Sequence, residues 1–514
     1  MPSLNLFRAL CFPRHPARLR VVAVVAATAG LAACAAGPDY HLAEPQAPAD
    51  WTRWHGGAPE LLDLRLRHGR AGLPGPDWSV FGDPTLLALQ RRAMDANPDL
   101  QAAALHFAQS RMRRLTVSAQ RGPQLDAQAG VTRQRQSEYG AGTRIVDAIA
   151  PANRDELIEV LSDPFTLYQA GFDASWELDL WGRVRRSVEA ADAQVRATAA
   201  DLREMQATVL ADLARDYFEL RGVQNRLRLA RADLKAGEEL LELVGAQAKG
   251  GLTDELDVER QRAQLADQRA RLPQLMEQQA QLANRLALLA GERPGALQAE
   301  LADAGRAPDP SVLPDLEPGV PSELARRRPD IQAAQERLHV ATAQIGIAVA
   351  DLYPRITLGA TFGFESFRDD RFGEWGSRQW SVGPSLTLPL FDRGRRRATV
   401  TLRELQQQEA AVAYQRTVLQ AWHEVDGALT AYTAQRQRNA ELARKEQSSQ
   451  AAYDLAQARY RNGSTDFLVA LRAWRVLLQA RQEYADGASR QARRLVAVYK
   501  ALGYAAPPEA GSDR

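Results

Sequence analysis

Cysteine is nearly absent from this chain of 514 residues, which has only Cys11 and Cys34. Both lie at the start of the chain, so the remainder has no thiol with which to build a disulfide, a metal site or a redox pair. Long apolar segments are also missing. The mean hydropathy is −0.37, and after Ala33 no apolar run reaches the roughly eighteen residues of a membrane-spanning helix. This excludes a helical membrane protein.

Motifs for enzyme chemistry are missing as well. The sequence has no His-Glu-x-x-His, no phosphate-binding loop and no Gly-x-Ser-x-Gly. Its seven histidines are scattered, and His106, His339 and His423 fall within helical patterns. We therefore expect no catalytic residues, no bound metal and no cofactor.

The charge balance argues against nucleic acid as a partner. The chain has 65 Lys and Arg against 63 Asp and Glu, and four of the arginines precede Cys34, namely Arg8, Arg14, Arg18 and Arg20. Without them, 61 bases face 63 acids, which gives a net charge of −2.

The segment 1–33 is typical of a bacterial signal peptide. A basic region ending at Arg20 precedes an apolar run from Val21 to Ala32, which is too short to span a bilayer. The ending Leu31-Ala-Ala-Cys34 resembles a lipobox and predicts cleavage before Cys34 and its lipidation. By resemblance to sorted bacterial lipoproteins, an aspartate after the cysteine would favour retention in the inner membrane, and Ala35 at that position suggests the outer membrane. The alternative is an ordinary secretory signal with a chance cysteine.

A short alternating run followed by a Gly/Arg cluster and a long helical pattern occurs twice. The first copy joins Trp181, Gly182 and Arg183, and the second joins Phe391, Asp392 and Arg393. Trp181 aligns with Phe391 and Arg183 with Arg393 at one constant offset, which indicates an internal duplication.

A second correspondence precedes each junction. Pro98-Asp-Leu-Gln-Ala-Ala103 matches Pro329-Asp-Ile-Gln-Ala-Ala334. Alternating residues follow, with Ile356, Leu358, Ala360, Phe362 and Phe364 on one face and small or polar residues on the other. Period two predicts strands that are apolar on one side only. We expect strands at 123–132, 168–180, 354–366 and 379–390, with a long polar loop over 133–167.

Each junction opens a long helix that ends at a glycine. A continuous helix from Trp181 to Lys249 would be on the order of 100 Å long. Heptad spacing of Leu405, Val412 and Leu419 is typical of coiled-coil packing. The matched breaks predict two hairpin tips, in which glycine ends one helix and Thr or Asp caps the next. The tip residues are Gly251, Leu252, Thr253, Asp254, Leu256, Gly463, Ser464, Thr465, Asp466 and Leu468.

Four one-sided strands leave two open edges, which a membrane does not tolerate because every backbone group there must be paired. Closure therefore requires several chains. Two chains would give eight strands and a filled interior, whereas three would give twelve strands and room for a pore. This argument sets a lower bound on the oligomer and does not prove three.

The chain resembles the outer membrane factor lipoproteins, the TolC-like and NodT-like family of tripartite efflux systems. The resemblance spans nearly the whole chain after the signal. It rests on the lipobox with Gly37-Pro-Asp-Tyr40, on Phe81-Gly-Asp-Pro84 and Asn97-Pro-Asp-Leu100, on Phe172-Asp-Ala-Ser-Trp-Glu-Leu-Asp-Leu-Trp-Gly-Arg183, and on both glycine tips.

The resemblance implies a mainly α fold of long helices and coiled coils. It also implies a homotrimer whose four strands per chain form a twelve-stranded β-barrel in the outer membrane. The tips would dock a periplasmic adaptor, and an inner-membrane transporter, expected to be of the RND type, would deliver drugs or other small toxic compounds to a passive duct. Family members commonly carry a gate aspartate nine positions after the second tip glycine. This chain has Arg472 there, with Asp466 and Arg475 nearby.

Three rival functions remain at this point: a type I protein secretion channel, a metal export channel, and a lipid-anchored coiled-coil structural protein.

The expected domain division follows from these patterns. The expected segments are a signal peptide (1–33), a leader and equatorial segment (34–97), the first repeat (98–303), a linker (304–328), the second repeat (329–503) and a tail (504–514).

Overall fold

The computed structural model describes residues 36–41, 56–58, 61, 78–140, 143–149, 153–251, 254–302, 324 and 327–503. Cys34, the signal peptide, most of the linker at 304–328 and the tail at 504–514 lie outside these residues. The chain divides into two compact units. The first takes Met1–His41, Arg111–Gln194 and Leu338–Glu409, and the second takes Leu42–Ser110, Val195–Arg337 and Ala410–Arg514. Each unit therefore draws residues from both sequence repeats.

The first unit contains a four-stranded antiparallel sheet in the order β1-β2-β3-β4. Because β1 and β4 each have one neighbour, both are open edges in the single chain. The strands are β1 (Gln124–Gln134), β2 (Phe165–Glu177), β3 (Arg355–Ser366) and β4 (Arg378–Thr387).

The connection between β1 and β2 differs from the polar loop expected over 133–167. It contains helix α3 (Arg144–Ile149) and helix α4 (Arg154–Ser162), and β2 begins at Phe165 rather than at 168. The cause is local amphipathicity, because Val146 and Ile158 are buried within these short helices.

The long helices confirm the internal duplication. Helices α5 (Arg183–Lys249) and α9 (Arg395–Arg461) both have 67 residues, and the return helices α6 (Glu255–Leu289) and α10 (Phe467–Ala501) both have 35. The starts and ends of all four helices agree on one alignment, in which Arg183 corresponds to Arg395. The alignment of Arg183 with Arg393, inferred from the arginine runs, is therefore wrong by two positions.

The strand pairings follow the same alignment. Ala129 opposes Ala170 in the first hairpin, and Ala360 opposes Val382 in the second. Ala170 and Val382 are separated by the same interval as Arg183 and Arg395. The two hairpins thus have equivalent registers.

The helices that precede these hairpins form a second matched pair. Helix α2 covers Pro98–Ser118 and helix α8 covers Pro329–Ala350, and the following strands β1 and β3 begin at equivalent positions, Gln124 and Arg355. Helix α1 (Pro84–Ala96) stands before α2, and the short helix α7 (Gln298–Ala302) follows α6.

The core of the second unit forms around the middle of α5. Tyr217 and Phe218 are fully buried there and pack against α1, α6 and α10. Asp83 ties α1 to this core: one carboxylate oxygen accepts from the backbone N–H groups of Thr85 and Leu86, and the other accepts from the Tyr217 hydroxyl at 2.5 Å. Burial raises the pKa of Tyr217, so this phenol remains a donor.

Among the residues described, no helix combines the length and apolar character needed to cross a bilayer.

Candidate functional site

The two faces of the sheet differ in chemistry along all four strands. One face carries apolar side chains in cross-strand rows, such as Ala127, Phe172, Phe362 and Trp380. Several of them are exposed in the single chain, including Trp380 at 68%. This face suits lipid, because the alternation of apolar and polar residues is that of strands between lipid and water.

The opposite face of the sheet is polar and carries acidic residues. Gln169 donates to Glu365 at 2.6 Å, and Thr361 and Ser381 share a hydrogen bond of 2.8 Å. Asp126 and Asp173 stand directly opposite one another. Like charges at such positions repel, so this face requires water.

The glycine tips have the backbone geometry expected from the sequence. Gly251 has φ of +71° and Gly463 has φ of +68°, which glycine adopts without the steric cost of a Cβ. At the second tip the N–H of Gly463 bonds to Tyr460 and that of Ser464 to Arg459, which is a Schellman motif. Leu252 and Thr253 of the first tip lie outside the described residues.

Both return helices start directly after an aspartate. Asp254 and Asp466 occupy the N-cap positions of α6 and α10, but neither carboxylate bonds to a helix N–H. Thr465, the other capping residue predicted at the second tip, lies one residue before the N-cap position. Leu256 and Leu468 in the first turns are 52% and 41% exposed. The tips thus present exposed carboxylates beside exposed leucines.

The candidate gate residues differ in their surroundings. Arg475 of α10 donates to Gln264 at 3.0 Å and to Gln261 at 3.2 Å, both on α6. Arg472 is exposed, and in the described part of the chain no carboxylate lies within ion-pair distance of it. Leu471 packs behind it with Leu240, Val244 and Val258. Arg475 is therefore fixed between two helices, and Arg472 is not.

The first strand-to-helix junction is closely packed. Gly182 has φ of +78° and precedes α5. Trp181 stacks on Tyr353 with ring centroids 4.8 Å apart, and its indole N–H donates to the Pro354 carbonyl at 2.8 Å. Arg183 forms two hydrogen bonds of 2.8 Å with Glu177.

The second junction is open by comparison. Phe391 is 85% exposed, whereas Trp181 is half-buried. Asp392 accepts from the backbone N–H groups of Gly394 and Arg396 and so caps α9. Arg393 has φ of +55°. The sequence pairing of these junctions gave no sign of this difference.

Sequence reasoning missed a clasp, formed by residues 36–40 against α5 and α8. The Ala36 N–H bonds to the Trp181 carbonyl at 3.0 Å, and Arg186 binds Asp39 at 2.6 Å. Tyr40 stacks on His339 with centroids 4.2 Å apart. The hydrogen bond from Arg186 holds the pKa of Asp39 below its usual value.

Glycine makes the clasp possible. A Cβ on Gly37 would lie 2.5 Å from the Gly346 Cα, so two backbones meet without side chains between them. The Gly-Pro-Asp-Tyr motif, together with a glycine inside a helical pattern, was the available signal.

The described residues contain no group of three or more histidine, cysteine, aspartate or glutamate side chains placed to hold a metal ion.

Comparison with known proteins agrees with this arrangement. The sequence profile of the family described as outer membrane efflux protein matches residues 89–292 and 320–504. Outer membrane protein OprJ of Pseudomonas aeruginosa is 34% identical over 477 residues, covering 92% of this chain and 93% of OprJ. The toluene efflux pump outer membrane protein TtgI of Pseudomonas putida is 32% identical over 481 residues, covering 92% of this chain and 96% of TtgI.

A solved structure agrees as well. The outer-membrane channel OprN has a TM-score of 0.77 and 34% identity, covering 92% of this chain and 99% of OprN. The chain belongs to the outer membrane efflux protein family. It is an outer-membrane channel component of an efflux system and not an enzyme.

Proposed function

We propose that three copies of this chain close their twelve strands into one barrel and form a passive exit duct. The observation that carries this proposal is the sheet with two open edges and one apolar face. An open sheet leaves backbone groups unpaired in lipid, whereas pairing β4 of one copy with β1 of the next satisfies them. Twelve strands leave space for a pore.

The helices support the same closure. Helix α9 carries three exposed apolar residues at heptad spacing, while the corresponding alanines of α5 are buried within the chain. Helix α2 likewise has exposed apolar residues, whereas every residue of its counterpart α8 except Arg337 is buried or half-buried. In each pair of equivalent helices, one has its apolar residues covered within the chain and the other does not. A neighbouring copy that packs its α2 against α9 would cover both exposed sets. The exposed residues are Leu405, Val412 and Leu419 on α9 and Leu105, Met112 and Leu115 on α2, and the buried alanines of α5 are Ala193, Ala200 and Ala207.

The internal duplication supplies a register for the contact between copies. Within the chain, Ala174 of β2 opposes Ala360 of β3. The counterpart of Ala174 in the second half is Leu386, and the counterpart of Ala360 in the first half is Ala129. If the β4–β1 contact repeats the β2–β3 contact, Leu386 of one copy opposes Ala129 of the next.

We also propose that Cys34 carries a lipid after removal of residues 1–33. The clasp supports this because Ala36 bonds to Trp181 at the end of the strand region. The proposed lipid would be attached two residues before Ala36 in the sequence, and two extended residues span at most about 7 Å. A lipid there would enter the same membrane as the apolar face of the sheet.

The tips are proposed to dock a periplasmic adaptor. Exposed leucines beside carboxylates offer a small apolar contact with a polar rim, which is the usual composition of a protein interface. The gate is proposed to involve Arg472 and Asp466. Arg475 acts by holding α10 against α6, because its guanidinium is already bound by two glutamines.

The transporter and cargo follow from this role. A passive duct accepts what an inner-membrane transporter of the RND type delivers through the adaptor. TtgI is named for toluene efflux, and small toxic compounds or drugs are the corresponding cargo proposed here. Selection among them rests with the transporter.

Export by tip variants tests the proposal. Gly463→Asp and Gly251→Asp each force a side chain onto a positive φ, so both should reduce export of a toxic substrate at least about tenfold while trimers persist. Gly245→Asp is the matched control, because this helical glycine near the first tip has open space around its Cα and should retain export. Full export by both tip variants would contradict tip docking, and a wild-type chain that forms no trimer would contradict the duct.

A further inference from the structure

Arginines accumulate without acidic partners where β4 gives way to α9. Arg393, Arg395 and Arg397 are exposed, and in the described part of the chain no carboxylate lies within ion-pair distance of them. The nearby carboxylate of Asp392 is engaged by two backbone N–H groups. The first turn of α9 also contains no acidic residue. The partial positive charge at the N-terminus of this helix therefore adds to the repulsion among these guanidinium groups.

The equivalent junction in the first half of the chain pairs two of its three arginines with carboxylates. Arg183 is bound by Glu177 at two 2.8 Å contacts, and Arg186 is bound by Asp39 and Glu189. The counterpart of Glu177 in the second half is Pro389, which has no carboxylate to offer. The two junctions share a backbone plan but differ in how their arginines are paired.

Backbone strain marks the same place. Arg393 has φ of +55°, and it is the only non-glycine residue with a positive φ among those described. A side chain in this conformation costs free energy, and glycine or asparagine would occupy it more readily. Strain of this kind indicates that the arginine side chain has a use here.

Exposed apolar residues immediately precede the arginines. Leu390 and Phe391 are 87% and 85% exposed, and Leu388 is 45% exposed. Apolar residues next to arginine clusters are typical of segments that lie at a membrane surface, where the chain meets acyl groups and phosphates together. A soluble phosphate would account for the arginines but not for these exposed apolar side chains.

We propose that Arg393, Arg395 and Arg397 bind the phosphate of an anionic phospholipid whose acyl chains contact Leu390 and Phe391. Guanidinium groups bind phosphate oxygens in a bidentate manner, and the phospholipid supplies the negative charge that the protein lacks at this junction. The assignment rests on the proposed placement of the strands in the outer membrane, which puts the strand-to-helix junction at a membrane surface.

Native mass spectrometry of the purified protein in a zwitterionic detergent tests this binding. The wild-type protein should bind phosphatidylglycerol at least about tenfold more tightly than phosphatidylcholine. The triple variant Arg393→Gln, Arg395→Gln, Arg397→Gln should lose this preference. The matched control is Arg438→Gln, Arg459→Gln, Arg461→Gln, which removes the same charge from exposed positions further along α9 and should keep the preference.

A junction variant that keeps the preference would overturn the proposal, as would equal losses in both triple variants. Inorganic phosphate that displaces the lipid at equal concentration would show an anion site without a lipid contribution, and would also overturn it. If the junction variant fails to accumulate, the lipid preference of the wild-type protein is measured at increasing salt instead. This preference should fall as NaCl rises from about 0.05 to about 0.5 M. Salt-independent binding would count against the arginines. If the protein is not trimeric but still prefers phosphatidylglycerol, the proposed duct is contradicted and the proposed lipid site is not.

Discussion

Asn97 and Arg328 occupy the same place in the two halves of the chain, and each donates a hydrogen bond to the last residue of a return helix. Asn97 donates to the Leu289 carbonyl at 2.9 Å, and Arg328 donates to the Ala501 carbonyl at 2.8 Å. The glycine two positions after each carbonyl leaves room for this approach, since a Cβ on Gly291 would lie 2.4 Å from the Ala96 oxygen. The two halves thus close their helical hairpins by the same contact with different side chains.

Substitution of Asn97 separates its two roles. Its side-chain oxygen accepts from the backbone N–H groups of Asp99 and Leu100, so it caps α2, while its amide nitrogen binds Leu289. Asn97→Ala should lower the free energy of unfolding by about 1–3 kcal/mol, and Asn97→Ser, which keeps the cap alone, should lose less. Thermal unfolding followed by circular dichroism measures both. Equal losses in the two variants would show that the whole contribution of Asn97 comes from its hydrogen bond to Leu289 and none from the cap.

Burial raises the pKa of the Asp216 carboxyl, and the neighbouring Arg215 guanidinium offsets this rise only in part. The free energy of unfolding should therefore depend on pH through Asp216. A carboxyl whose folded pKa is raised is most favourable when protonated, so it lowers stability as the pH rises through that pKa. Asp216→Asn should therefore raise the unfolding temperature at pH 8, and this gain should vanish below about pH 4.

Asp39→Asn is the comparison variant for that pH series. The hydrogen bond from Arg186 lowers the pKa of Asp39, so its contribution is present at neutral pH and is lost in acid. This variant should be less stable than the wild type at pH 8 and equal to it in acid. Shifts of the same sign in the two variants would contradict this assignment.

The clasp should open when Gly346 acquires a side chain. A Cβ there would lie 2.9 Å from both the Ala36 oxygen and the Arg186 Cγ. Gly346→Val should therefore expose residues 36–40 and increase their cleavage by a protease at least about fivefold. Gly427→Val is the control, because this helical glycine on α9 has open space around it. Equal cleavage rates in both variants would show that the clasp does not depend on the glycine contact.

Much of this fold could be predicted from local sequence patterns. The alternation in β3, the proline-free stretches and the paired glycines are local signals, and the fold class they indicated is confirmed. The offset between the halves could not be predicted in the same way. Aligning Arg183 with Arg393 maximised residue identity, whereas hydrogen-bond register aligns Arg183 with Arg395.

The clasp and the unequal junctions were beyond sequence reasoning for a related reason. They depend on which side chains meet across large sequence separations, as Asp39 meets Arg186 and Tyr40 meets His339. Identical residue types at Arg183 and Arg395 gave no indication that one is paired and the other is not.

Ion selectivity should report on Arg472. Three exposed guanidinium groups near a narrow axis would attract anions, because like charges focus the local potential. Arg472→Asp should shift the reversal potential of a planar bilayer in asymmetric salt toward cation selectivity. Arg438→Asp makes the same charge change at an exposed position on α9 that is distant from the tip, and it should leave the reversal potential unchanged. An unaltered reversal potential in Arg472→Asp would remove this residue from the gate.

Closure of the sheet between copies is tested most directly by a disulfide between Leu386→Cys and Ala129→Cys in a Cys34→Ser background. Within one chain these residues lie on the two outer strands, three strand spacings or at least about 14 Å apart, which is beyond the reach of a disulfide. Oxidation should therefore yield covalent dimers and trimers on a non-reducing denaturing gel, and in higher yield than Leu386→Cys with Ala127→Cys. Monomer alone after oxidation of both pairs would contradict the account.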